Sequence, residues 1–473
     1  MDNMEQESDQ KLRELIKKAP GDLPEFFLSH TEKEVPLLPR DLFHLLGCWV
    51  QGHSFDISSD HFMKVLEWIR QKMGIQTALN ALSYLEIVLG VRKPSIGMYD
   101  HAFHFIGGAQ KYGCTIASVL QNDFDITLIS NKMFRKEDLE KWYGLDLSKC
   151  RLKTVSIPFF EDREEKRSYI EPGVVDLKKD NPFHVVSRES GFYDVFINNS
   201  MVEMVYPLSA FSLFICHFPE REISRYFYVG KYSEIVYNSL YTAEWIKKRW
   251  SIVPHMHIYP PVDMEPGEMP YRKENIILSA SRFDPGGNKQ QAEIIKTFVK
   301  LVRMYPEMTK EWKLVVVGGS ADNNPYLKKI QKIATRFSSY DIEIKVNITV
   351  DELRSIYEKA KIFWHLTGLN QEDPAKVEHF GMTIVEAMQN GNIPFVFNGG
   401  GQKEIVEEGK SGFLVDSSEE LIEKTLMLLK DPGLQKKLSF QAFQEGKKFN
   451  KKTFSNMVKT YFYSLMEGFY PPC

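Results

Sequence analysis

The stretch Glu378-His379-Phe380-Gly381-Met382-Thr383-Ile384-Val385-Glu386-Ala387-Met388 decides how the rest of the chain is read. Two carboxylates stand eight positions apart, with a glycine and a threonine between them and an apolar run behind. Thr383 has the chemistry of a helix N-cap, and Glu386, three residues on, that of the second half of a capping box. Gly381 lets the backbone pass close to a neighbour just before the helix opens. The free N–H groups of such a helix start form an anion site. On this reading Glu378 sits in a loop above the helix and Glu386 on its first turn, both beside one pocket. The two carboxylates are open to two readings, an acid/base pair as in glycoside hydrolases or a pair that holds a ligand's hydroxyls. A first-turn glutamate already has a capping role, which favours the second.

Working outward, the chain from Lys93 on alternates short apolar runs with helical patterns, the signature of parallel α/β sheets. Residues 95–99, 125–130, 152–157, 193–198, 211–217 and 234–238 read as strands of a first block. Residues 276–281, 313–317, 341–346, 362–365 and 393–397 read as strands of a second. Between the blocks, Pro260-Pro261-Val262-Asp263, Gly267 and Pro270 mark the best linker in the chain. The expected organisation is a helical N-terminal extension over 1–93, a Rossmann-like domain over 94–270, a second over 271–450, and a C-terminal helix over 451–473 that packs back on the first domain. The extension is carried by residues 11–18, 59–69 and 77–89, amphipathic stretches read as core-packing helices rather than a docking module. The charged region 160–181 reads as a solvated loop. Two α/β domains joined this way imply a cleft, with ligands at the carboxyl ends of the strands.

Bulk properties narrow the classes. The 473 residues are 43% hydrophobic and 13% aromatic, enough to fill two cores. A formal net charge of −3 gives no general attraction for nucleic acid or membrane. The five cysteines are scattered without a CxxC pair, which points to a reducing compartment and away from a structural zinc site. The acidic, polar N-terminus is no secretory signal, and no apolar run approaches the ~20 residues that span a bilayer. The expected setting is soluble and cytoplasmic.

Four further segments carry site chemistry. Gly107-Gly108 falls between a strand and a helix, as either a tight structural turn or a loop closing on phosphate. Ser281-Arg282-Phe283-Asp284-Pro285-Gly286-Gly287-Asn288-Lys289 follows a strand, where an Arg fork and a Lys charge suit a diphosphate. His217, in Cys216-His217-Phe218-Pro219, ends an apolar strand where side chains reach the ligand edge of a sheet. Gly399-Gly400-Gly401 precedes a helical turn, marking close backbone approach or a flexible turn. Trp245-Ile246-Lys247-Lys248-Arg249-Trp250 mixes base and aromatic as either an ordinary half-exposed helix or a peripheral membrane contact.

Taken together these residues resemble the glycosyltransferase family 4 pattern, of α/β class and GT-B fold, with two Rossmann-like domains facing a central cleft. Residues 378–386 resemble that family's E-x7-E motif. Ser281-Arg282-Phe283, Gly318-Gly319, the Gly399–Gly401 turn before Glu404 and the Gly107-Gly108-Ala109 loop fall in line with it. Cys216–Pro219, Asn238-Ser239 and Tyr259–Asp263 are similar to mannosyltransferases that extend dolichol-linked oligosaccharides. The resemblance does not reach residues 1–93. It implies a retaining hexosyl transfer from a nucleotide sugar to a glycan or lipid-linked acceptor, with no metal ion and no cofactor beyond the donor. Carried over, Arg282 and Lys289 hold the donor diphosphate with Gly107 and Gly108 closing over it, and Glu386 holds the ribose. Glu378 meets the transferred sugar beside Gly381, Met382 and Thr383, and His217 faces the reacting groups. One departure stands out: the family's Lys follows the Arg sooner, where this chain has Gly287, and Lys289 comes two residues later. A nucleotide-sugar epimerase, a hydrolase, or a non-catalytic nucleotide- or glycan-binding protein on the same fold remain the alternatives.

Overall fold

The computed structural model describes Leu46, Trp49 and residues 60–157, 181–221, 223–264, 266–270 and 272–469. The expected helix over 11–18, and all of the 160–181 loop but its last residue, lie outside the described residues. The chain divides into two compact units. The first takes the described residues up to Ile215 with Glu220–Val236 and the chain from Asn456; the second takes Cys216–Pro219 and Tyr237–Ser455.

The first unit opens with helices α1 (Asp60–Met73) and α2 (Ile75–Val88). Arg92, just beyond α2, pairs with Glu86 at 2.8 Å and with Asp194 at 2.7 Å, tying this helical pair to the sheet that follows. The sheet is built from β1 (Ser95–Tyr99), β2 (Asp125–Ser130), β3 (Arg151–Thr154), β4 (Val195–Asn198), β5 (Phe211–Cys216) and β6 (Glu234–Tyr237). Helices α3 (Gly108–Leu120), α4 (Lys136–Tyr143) and α5 (His184–Ser190) fall between them. Within this unit the order is β3-β2-β1-β4-β5-β6, with the pairs from β3 to β5 parallel. This is the doubly wound order, whose ligand side lies where the strand sequence reverses, between β1 and β4.

The second unit repeats the plan. After α6 (Leu240–Trp250) come β7 (Glu274–Ala280), α7 (Gln291–Met304), β8 (Lys313–Gly318), α8 (Pro325–Arg336), β9 (Ile342–Val346), α9 (Val350–Lys359) and β10 (Ala360–His365). They are followed by α10 (Met382–Gln389), β11 (Ile393–Phe397), β12 (Phe413–Val415), α11 (Ser418–Lys430) and α12 (Pro432–Gly446). The parallel order β9-β8-β7-β10-β11-β12 puts the reversal between β7 and β10. Neighbouring residues of β10 serve opposite cores: Trp364 packs with Phe298 and Phe395, while Phe363 packs with Tyr357, Ile384 and Met388. That double burial explains why these strands read as apolar runs rather than alternations. β12 has only three residues, too few for such a run.

The boundary between the units differs from the proline-rich stretch the sequence marks. Tyr237–Pro270 groups with the second unit because it is anchored there at several points. Ser239 caps α6 through the Thr242 amide, and Leu240 and Tyr241 donate their amides to Glu404, both at 2.8 Å. Val262 bridges to Asn450, and the Met264 amide donates to Gln389 Oε1 at 3.0 Å. The prolines therefore lie in an anchored strap. Helix α13 (Lys451–Phe469) belongs to the first unit from Asn456. There Tyr463 donates to Asp123 at 2.8 Å and Phe462 meets Phe124 edge-on at 5.9 Å.

Candidate functional site

The reversal in the second sheet sets the site. Beyond β7 the chain turns at Asp284, whose carbonyl accepts the Gly287 amide at 2.8 Å and whose carboxylate accepts the Asn288 side-chain amide at 2.8 Å. The turn brings Lys289 back to the sheet end, where its Nζ lies 2.7 Å from Glu378 Oε2. The loop thus returns the displaced lysine to the end of the sheet. His365, the last residue of β10, places Nε2 3.0 Å from the same oxygen. Burial pushes the Glu378 carboxyl up, but the Lys289 charge and the His365 hydrogen bond outweigh it and hold the group well below the usual range. Burial lowers the His365 pKa, so the ring is neutral near pH 7 and donates its Nε2 proton to an ionised Glu378.

Helix α10 starts earlier than its sequence suggests, and the expected capping box is not formed. The N-cap is Gly381, with a left-handed φ of +116° and no side-chain cap. Thr383 is therefore the second helical residue and Glu386 the fifth, off the first turn. The left-handed backbone at Gly381 favours glycine, and a Cβ there would also push the end of the Ile384 side chain, 2.6 Å away. Glu386 instead accepts a hydrogen bond from the Tyr357 hydroxyl at 2.9 Å, which fixes its carboxylate one turn behind the helix start. The amides of Met382 and Thr383, at the first two helical positions, have no intrahelical acceptor and form the positive end of the helix.

The triple-glycine turn packs on this loop chiefly through backbone. The Gly401 amide donates to the Glu378 carbonyl at 2.9 Å. A Cβ there would lie 2.0 Å from the His379 carbonyl oxygen, and one on Gly400 would lie 2.3 Å from that of Glu378. Of the two readings the glycines allow, close approach is the one realised, to protein backbone. Glu404, just after the turn, is committed to the amides of Leu240 and Tyr241 and to the Tyr259 hydroxyl.

His217 follows β5, and its carbonyl accepts from Asn238 at 3.1 Å and Thr242 at 3.2 Å. The adjacent Phe218 stacks on His379, with centroids 3.9 Å apart and planes 6° from parallel. His217 and Glu378 each stand one residue from that contact. Burial pulls the His379 pKa down to about 4. Arg249 lies over the Phe218 ring at 5.1 Å and donates to the Pro219 carbonyl at 2.5 Å. The base-aromatic segment 245–250 thus spends Arg249 inside the unit, buries Ile246 and Trp250, and pairs Lys248 with Glu244 at 2.5 Å.

Of the residues singled out in the sequence, Lys289 and Glu378 are in direct contact, and Gly381, Met382, Thr383 and Glu386 line the start of one helix. Arg282 begins the Lys289 loop with an exposed side chain that makes no ion pair among the described residues. Gly107 and Gly108 belong to the first unit, where Gly107 precedes α3 and donates its amide to the Tyr143 hydroxyl at 3.0 Å. Sequence reading missed His365 and Tyr357. His365 carried a signal, since it ends an apolar strand as His217 does; Tyr357, inside a helix, carried none. Among the described residues, no group of three or more His, Cys, Asp or Glu side chains is placed to hold a metal ion, and no helix is long and apolar enough to cross a membrane.

Two doubly wound domains of this kind define the GT-B fold, and solved structures of that kind match the chain. The crystal structure of Anabaena HepE in complex with UDP-glucose covers 78% of this chain and all of its own at a TM-score of 0.58 and 16% identity. Sucrose-phosphate synthase from Thermosynechococcus elongatus covers 79% of this chain and 99% of its own at a TM-score of 0.56 and 15% identity. More narrowly, residues 266–445 match the model of the family Glycosyl transferases group 1. A GDP-Man:Man(3)GlcNAc(2)-PP-Dol alpha-1,2-mannosyltransferase of Dictyostelium discoideum is 29% identical over 255 residues, 50% of this chain and 48% of that protein. The mouse protein of the same description is 31% identical over 207 residues, 40% of each chain. The chain spans about half or less of the length of these curated relatives.

Proposed function

We propose that the protein is a retaining glycosyltransferase that moves a hexose from a nucleotide sugar to a hydroxyl of a glycan or lipid-linked acceptor. The observation that carries this reading is the Lys289–Glu378–His365 contact beside the Gly381 helix start, within the residues that match the Glycosyl transferases group 1 model. As the sugar–diphosphate bond breaks, negative charge grows on the departing phosphate. Arg282, Lys289 and the amides of Met382 and Thr383 supply positive charge and N–H donors for it. Glu386, braced by Tyr357, receives the ribose hydroxyls. Glu378, ionised and anchored, accepts hydrogen bonds from the sugar's hydroxyls, and His217 faces the reacting groups. The leaving phosphate takes the acceptor's proton, so no carboxylate nucleophile takes part, and Arg282, Lys289 and the helix amides neutralise the diphosphate in place of a metal ion. The matched relatives named for GDP-Man and a dolichol-linked substrate support GDP-mannose as donor and a lipid-linked glycan as acceptor, met at the cytoplasmic membrane face.

A thermal-shift panel of GDP-, UDP- and ADP-sugars tests the donor, with stabilisation by GDP-mannose expected. No shift with any of them, at ~100-fold above a typical donor Kd, removes the proposal. Product analysis with and without a glycan acceptor, in the presence of a chelator, then separates transfer from hydrolysis or epimerisation and tests metal independence.

A further inference from the structure

The second sheet has another edge. At the amino-terminal ends of β7, β10 and β11, opposite the edge that carries Arg282 and His365, lies a cavity of about 460 Å³. That volume is within the ~300–1,000 Å³ of small-molecule sites. Its walls carry three lysines, Lys273, Lys361 and Lys436, and apolar surface from Met269, Ile393 and Phe440. No carboxylate is among the lining residues.

The three cations are arranged unevenly. Lys273 reaches inward to donate to the carbonyls of Asn390 at 2.5 Å and Tyr357 at 3.3 Å, and it makes no ion pair among the described residues. Two carbonyls satisfy two of its protons but do not neutralise its charge. Burial accordingly pulls its pKa down to about 7, against the opposing pull of nearby Glu358. Lys361 sits 5.7 Å over the Trp312 ring and donates to Asn275 at 2.6 Å, again without a carboxylate. Lys436 is exposed at the rim without an ion pair among the described residues. Phe440, on the same helix, remains 51% exposed. The charges of Lys361 and Lys436, beside a Lys273 that an incoming anion would hold protonated, face open apolar surface and favour a ligand with a negative head and an apolar body.

We propose that this cavity binds an amphipathic anion, a carboxylate or phosphate monoester with an apolar tail, its head toward Lys273 and Lys436 and its tail along Phe440 and Met269. The site is separate from the nucleotide-sugar reading and does not depend on it.

Titration calorimetry of the full chain with monomeric decyl phosphate tests it, with inorganic phosphate and decanol as probes of head and tail alone. Saturable binding by decyl phosphate, at least about tenfold tighter than by either control, is expected. Lys436→Glu and Phe440→Ser change exposed side chains, so both fold, and each weakens binding at least about tenfold. No saturable binding, equal binding of phosphate or decanol, or unaltered binding by folded Lys436→Glu and Phe440→Ser overturns the proposal. Given cavity binding, flotation with phosphatidate vesicles identifies its source. Retention that decyl phosphate displaces assigns a lipid headgroup; lack of retention assigns a free amphiphile.

Discussion

Lys289 Nζ lies 2.7 Å from Glu378 Oε2, joining residues 89 positions apart, and both side chains are largely withdrawn from solvent. Removing the lysine leaves Glu378 with one hydrogen bond and no countercharge. Lys289→Met is expected to destabilise the protein by about 2 kcal/mol, less than the ~3–5 kcal/mol of a fully buried pair because both groups retain some water contact. Lys289→Arg retains most of that. Since the Glu378 pKa is lowered from 4.5, the pair's contribution is full above that value and lost as pH falls through the lowered one. Urea melts at pH 7 check the deficit.

Arg282 gives the opposite pattern. Its side chain is exposed and has no ion pair among the described residues, so Arg282→Ala should change stability by no more than about 0.5 kcal/mol. Donor affinity should nonetheless fall at least about tenfold, the loss of one charge-assisted contact to phosphate. Calorimetry with the nucleotide sugar against an unchanged melt separates these. A variant that melts early with normal affinity removes Arg282 from the donor site.

His379 makes the acid sensitivity of this region measurable. Its pKa falls from 6.5 to about 4, so the unfolded chain binds more protons between those values and stability drops as pH falls through them. At ~1.4 kcal/mol per pH unit the full window is worth on the order of 3 kcal/mol. His379→Phe keeps the stack on Phe218 and deletes the titration. The loss of stability from pH 7 to pH 4.5 should be smaller in the variant, by denaturant titration at both values. His365 is lowered in the same direction, so some of the slope persists.

Two glycines separate close packing from backbone conformation. A Cβ on Gly401 would sit 2.0 Å from the His379 carbonyl, whereas Gly409, at φ +67°, has nothing within 4 Å of its Cβ position. Gly409→Ala should cost about 1–2 kcal/mol, the left-handed penalty alone. Gly401→Ala must displace the loop that carries Glu378, so it should cost more and abolish donor-dependent stabilisation. Equal melts for the two variants would contradict the backbone contact.

The sheets were legible because doubly buried strands such as Lys313–Gly318 and Ile393–Phe397 write themselves as continuous apolar runs. Lys289 was legible as chemistry but not as geometry, since its reach depends on the Asp284 turn. The start of α10 misled: Thr383 and Glu386 have the capping spacing, yet a left-handed glycine two residues earlier takes the cap. Tyr357 and Glu386 meet only through tertiary packing, which no local pattern encodes. The prolines of the Tyr237–Pro270 segment signal restricted backbone, whereas the hydrogen bonds that anchor it to the second unit leave no local mark.

At the joint between Gly401 and Glu378-His379, backbone meets backbone: the Gly401 amide donates to the Glu378 carbonyl, and its Cβ position falls against the His379 and Phe380 main chain. Side-chain repacking cannot make room for a substituent on Gly401, because the atoms it would meet are main chain. A protein engineer who transplants the Glu378–Glu386 segment into another scaffold must move Gly399–Gly401 with it, as one discontinuous cassette. Diversification of specificity in this unit then has to fall on neighbouring positions whose side chains are free to vary.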